Sequence, residues 1–214
     1  MVSVRRTRRS ICLPACPGFG RAFFIGAVVN YGLFLSSAAF AQKFVVAPVA
    51  EKKVSQLPQG TLYWRIETFP TLADAQAVAA PTALAAEIDR KSWLFTLAPR
   101  GGSSPGGAKV AEIGPVPSIS APEYLLRINS AGGPSGVKTP IHMHPGSESF
   151  YVLTGELSQK TPHGTRHIDA GQSMPGNLPD TPMEVSSTGT SDLKVLVLFV
   201  ADATKPFSSP ATMQ

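Results

Sequence analysis

All four histidines of this 214-residue chain, His142, His144, His163 and His167, fall within 26 residues of one another. His142 and His144 are two apart, so on an extended strand both rings point to the same face, the spacing that puts two imidazoles on one ion. Pro145-Gly146 then bends the chain and lets Glu148 return toward the same point from the start of the next strand. Two neutral ring nitrogens and a carboxylate oxygen form a borderline-to-hard ligand set, suited to a divalent transition metal such as Mn, Fe, Zn, Ni or Cu. The other two histidines are weaker candidates. His163 sits in the turn sequence Pro162-His163-Gly164, and His167 precedes Ile168, so alternation turns it outward if Ile168 faces the core.

Written with its glycines, the segment Gly136-VKTPI-His142-Met143-His144-PGS-Glu148-SFYVLT-Gly155 fits the pattern G-x5-H-x-H-x3-E-x6-G at every fixed position. That pattern resembles the first motif of the cupin superfamily, and the wider resemblance runs to Ala201. It implies a mainly β chain with a cupin-type double-stranded β-helix, a jelly-roll barrel whose interior holds the ligands. The resemblance also implies a second motif beginning at Gly171 that brings one more histidine. Here the expected histidine falls on Pro182, or with one inserted residue on Met183, so the fourth ligand of the family is missing. Alternation favours the shifted register, because Met183 and Val185 then face inward. Three readings stay open. The ion keeps His142, His144 and Glu148 with open positions for water or substrate; or the Met183 thioether coordinates and favours copper; or the metal function has decayed and the histidines line a ligand pocket.

The elements that position these residues are short. Thr61 to Phe69 alternates Leu62, Trp64 and Ile66 against Tyr63, Arg65 and Glu67, a half-buried strand. Leu72 to Ala80 follows Pro70-Thr71 and ends at Pro81, which predicts the one short helix. Strands are predicted near 83–88, 92–97, 108–113, 123–129, 149–154, 157–161, 165–169, 184–187 and 194–201, separated by Gly, Pro, Ser and Asn clusters. Gln42 to Gly60 is patternless enough to read as an extended arm, available to wrap a neighbouring subunit. Tyr63, Trp64, Trp93, Phe95, Tyr124, Phe150 and Tyr151 are expected in the core. Arg100–Gly107 reads as an exposed loop rather than a phosphate cradle, since no Lys-Ser/Thr and no helix follow it.

The formal charge of +5 comes from residues 1–41, which carry Arg5, Arg6, Arg8, Arg9 and Arg21 and no acid. The remainder is formally neutral, which removes the main electrostatic support for nucleic-acid binding. Basic start, apolar run from Ala22 to about Phe34 and the small residues Ala39-Phe40-Ala41 together read as a cleaved signal peptide. The apolar run is too short and interrupted for a stable span. The expected organisation is therefore signal peptide 1–41, arm, helix and extra strands 42–120, cupin core 121–203 and tail 204–214. The expected product is periplasmic or secreted, and Cys12 and Cys16 leave with the signal, so no disulfide is expected. The resemblance implies a homodimer. Together with the signal peptide it implies an exported protein that binds or transforms a small organic molecule, as a metal-dependent oxidoreductase of dioxygenase type or an isomerase if it is an enzyme. The alternative is a non-catalytic small-molecule-binding module with a degenerate metal site.

Overall fold

The structure is a computed structural model that describes residues 42–213; the predicted signal peptide lies outside the described residues. In chain order the elements are β1 (Val45–Val54), β2 (Leu62–Phe69), α1 (Leu72–Ala77), β3 (Ala83–Ile88), β4 (Lys91–Pro99), β5 (Ala108–Ile113) and β6 (Tyr124–Gly133). They continue with β7 (His142–Met143), β8 (Gly146–Thr154), β9 (Glu156–Thr161), β10 (Gly164–Asp169), β11 (Ser173–Met174), β12 (Glu184–Ser187), β13 (Leu193–Asp202) and β14 (Ser209–Pro210). The chain is thus mainly antiparallel β with one short helix. That helix starts where Thr71 accepts from the Asp74 amide at 3.1 Å, a cap worth about 1 kcal/mol.

A five-stranded sheet, ordered β1-β6-β13-β8-β11, is the middle layer. Against one face lies the four-stranded sheet β3-β4-β2-β5, and against the other the three-stranded sheet β10-β9-β12. The sequence Val195-Leu-Val-Leu-Phe-Val200 on β13 follows from this position. Leu196, Leu198 and Val200 pack with Trp64, Trp93, Phe95 and Leu97 on one side. Val195, Val197 and Phe199 pack with Phe150, Leu157, Ile168 and Val185 on the other. A strand covered on both faces reads as an unbroken apolar run, and each such side chain contributes roughly 1.5–3 kcal/mol on burial.

Three expectations are corrected. The sheets do not close into a barrel: the ladders end at β1 and β11 on the large sheet and at β10 and β12 on the small one. β12 bonds instead to the loop before β7, through Thr139 N to Val185 O at 2.9 Å and Ser187 N to Val137 O at 2.9 Å. A gap is left between the layers on that side. The arm, in turn, does not stand free for a neighbouring subunit. Val45–Val54 pairs antiparallel with β6 as the sheet's edge, with a register shift between Pro48 and Ala50. Pro and Lys are tolerated there because an edge strand needs only one ladder. The helix also ends three residues before the expected Ala80, at Ala77.

Glu67 is a further departure from half-burial, since it is fully enclosed. Burial alone would raise its pKa, but bonds from Ser104 N and Ser104 Oγ, both at 2.7 Å, and from Arg65 Nε at 3.1 Å hold it below the usual carboxylate range. This cluster pins the Arg100–Gly107 loop, with Arg65 also donating to Gly101 O at 3.0 Å.

Candidate metal centre

The inner face of the middle sheet is a grid set by its registers. Arg127, Phe199 and Glu148 form one row, Asn129, Val197 and Phe150 the next, and Ala131, Val195 and Val152 the third. Glu148 therefore stands at the polar end of a floor whose other rows are apolar except for Asn129. It is placed there by the start of β8, which Gly146 lets run tight against β13: a Cβ at Gly146 would collide with Val200 O and lie 2.5 Å from Ala201 Cα. Gly155, a fixed glycine of the motif, closes the same strand at φ +74°, where a Cβ would meet Asp192 O at 2.8 Å, so the glycines at both ends of β8 answer steric demands. Gly136 and Gly171 also have positive φ.

His142 and His144 come from β7 and the residue after it. β7 is held on one side by β14, with Ser209 opposite Met143. On the other side His142 and Met183 exchange backbone bonds of 3.0 and 2.8 Å. Each ring has its Nδ1 within hydrogen-bond distance of a carbonyl, His142 with Pro140 O at 2.8 Å and His144 with Phe207 O at 2.6 Å. Nδ1–H donation to those carbonyls leaves each Nε2 as the free lone pair, the arrangement that orients a ligating imidazole. The two rings meet edge-on with centroids 5.0 Å apart. Phe199 and Phe207 enclose His144 at 4.9 and 4.8 Å.

Among the described residues, His142, His144 and Glu148 form a group able to hold a metal ion, each offering one ligand atom and all three atoms lying within 4.8 Å of one another. Glu148 is buried, its Oε2 has no hydrogen-bond partner, and desolvation pushes its pKa up to about 8. His144 is buried too. Desolvation lowers its pKa to about 4 despite the opposing bond to Phe207 O, with His142 and Arg127 adding to the fall. At neutral pH the 3.9 Å contact between His144 Nε2 and Glu148 Oε1 therefore joins two neutral groups rather than an ion pair. An unpartnered carboxyl facing two free imidazole lone pairs is a donor set that a divalent cation satisfies, so the residues fit the metal the motif implies.

Met183, at the position where the family's fourth ligand is expected, is buried across the ladder from His142, on the same face. Its sulfur lies 3.5 Å from Gln159 Nε2 and is engaged there. His163 is exposed in its turn, and exposed His167 is paired with Glu156 at 3.1 Å; neither joins the cluster. Phe207 is the site residue that sequence reasoning missed, as part of a tail with no visible role. Phe150 is in the core as expected and also lines the cavity beside the cluster, a space of about 400 Å³ walled by apolar residues.

No protein-family model matches the chain, and no curated protein is similar to it in sequence. Among solved structures it is similar to the DMSP lyase DddQ from Ruegeria pomeroyi, with 23% identity over 40% of this chain and 43% of that one and a TM-score of 0.35. It is also similar to a protein with a double-stranded β-helix domain from Klebsiella pneumoniae, with 20% identity over 41% and 75% and a TM-score of 0.35. A cupin superfamily protein from Desulfitobacterium hafniense shows 13% identity over 36% and 68%, with a TM-score of 0.33. The chain spans less than two thirds of the length of the first structures it resembles. These neighbours include a cupin superfamily protein and a protein with a double-stranded β-helix domain.

Proposed function

We propose that the mature protein holds a divalent transition metal through His142, His144 and Glu148 and binds or transforms a small organic molecule in the adjoining cavity. One observation carries this: three ligand atoms within 4.8 Å, of which the carboxyl is buried with an oxygen that no protein group satisfies. A bound metal supplies Lewis acidity and open coordination positions. The chain's own part is to fix the imidazoles through Pro140 O and Phe207 O, to exclude water with Phe199 and Phe207, and to offer at Glu148 a buried carboxyl that gives up its proton when it ligates. Elemental analysis of protein produced with metals supplied tests this. One equivalent of transition metal, lost in His144→Ala, is the expected result; no stoichiometric metal overturns it.

The rival reading, a non-catalytic binding module with a degenerate site, draws on the buried Met183 where a histidine is expected, its sulfur engaged with Gln159. Organic ligands that raise the melting temperature, with metals and chelator having no effect, would decide for it. Export with cleavage after Ala41 belongs to the same proposal and is checked by N-terminal sequencing of protein recovered outside the cytoplasm. A homodimer is proposed from the resemblance and is checked by light scattering. No helix among the described residues is long and apolar enough to cross a membrane.

A further inference from the structure

The cavity beside the cluster has a strongly one-sided lining. Phe150, Val185, Val195, Val197 and Phe199 form its floor and far wall, and no lysine or arginine lines it. The nearest cation, Arg127, is withheld: its Nε donates to Asn129 Oδ1 at 3.1 Å, its head lies 4.3 Å over the Phe207 ring and its Nη1 lies 3.6 Å from Glu51. Thr139 Oγ1 already accepts the Val185 amide at 3.0 Å. Besides His142, His144 and Glu148, the polar side chains of the lining are Asn129, Thr139 and the tail residues Ser208 and Ser209, the last paired beside β7; none of them carries a charge. A ligand with a second anionic group remote from the centre would set that charge against hydrocarbon with no counter-ion, a desolvation that nothing in the walls offsets.

We infer that the ligand has a largely hydrocarbon, uncharged body and one oxygen-bearing end, the oxygen toward His142, His144 and Glu148 and the body along Val195, Val197 and Phe150. Dicarboxylates and sugar phosphates are excluded. The cavity's volume suits a compact ring or short chain, at the small end of ligand-pocket sizes. This deepens the function proposed above and rests on it for the oxygen-bearing end.

Calorimetric titration of the full-length protein, metal-loaded and chelated, with acetophenone, succinate and glucose 6-phosphate tests the inference. Acetophenone is expected to bind at least tenfold more tightly than either anion, with a negative heat-capacity change. Val197→Phe, which fills the cavity, should weaken acetophenone at least tenfold while metal content stays at the parent level. Should that variant fold poorly, the near-isosteric Val197→Thr sets a hydroxyl in the same wall and should weaken it several-fold. Succinate or glucose 6-phosphate matching acetophenone, or acetophenone failing to bind metal-loaded protein, overturns the inference. Acetophenone binding to protein that takes up no metal supports the ligand class and sinks the metal reading alone.

Discussion

Replacing Glu148 by glutamine should change how the stability of the metal-free protein depends on pH. The Glu148 carboxyl has a pKa of about 8 in the fold, against an ordinary value of 4.5. Between those values the folded state keeps a proton that the unfolded state gives up, so the contribution of Glu148 is fully present below pH 4.5 and declines as pH rises through 8. His144 has the opposite slope. Its pKa falls from 6.5 to about 4 in the fold, so its contribution is fully present above pH 6.5 and is lost as pH falls toward 4. The two slopes cancel between pH 4.5 and 6.5, and above 6.5 Glu148 alone lowers stability. At about 1.4 kcal/mol per pH unit, the chelated parent loses about 2 kcal/mol from these groups between pH 6.5 and 8. Glu148→Gln keeps the shape of the side chain without its ionisation. Its stability relative to the parent should grow by about 3 kcal/mol between pH 5 and pH 7, the His144 slope being common to both proteins. Urea unfolding in chelator, followed by the fluorescence of buried Trp64 and Trp93, measures the difference directly. A stability difference between variant and parent that is flat across that interval would refute the claim that Glu148 is held protonated by its burial.

Metal uptake at pH 7 should release about one proton per site, because Glu148 must ionise to ligate while the His144 ring is already neutral; calorimetry in buffers of different ionisation enthalpy counts it. The released fraction should fall toward zero above pH 9. Deleting residues 204–214 removes the Phe207 carbonyl and ring from His144, and metal affinity should drop by roughly 10–100-fold in chelator competition while circular dichroism keeps its strand signal; unchanged affinity would show that the tail does not orient the ring. Met183→His sets an imidazole directly across the ladder from His142 and should raise zinc affinity at least tenfold, a gain whose absence would place position 183 outside the coordination sphere.

The candidate metal centre was legible because His142, His144 and Glu148 lie close in sequence and the turn between them is local. His142, His144 and Glu148 span seven positions, and Pro145-Gly146 brings the third back to the first two. What lies farther along the chain was not legible. The partner of His144 is 63 residues away at Phe207, and a lone Phe after Pro206 in a polar tail carries no periodicity that announces a cap. Most strands were readable from alternation or from unbroken apolar runs, β13 being an instance of the latter. β1 escaped because Pro48 and the Lys52-Lys53 pair mask its pattern, and only pairing with β6 shows that they sit on an edge. Barrel closure was the costliest extrapolation. The motif specifies a strand pair around Glu148, whereas closure depends on whether β12 bonds to the large sheet. Here β12 bonds to the loop ahead of β7, and that choice does two things at once. It fastens Met183 opposite His142, and it keeps the layers apart over the apolar floor, so the feature that breaks the barrel also makes room for a ligand beside the centre.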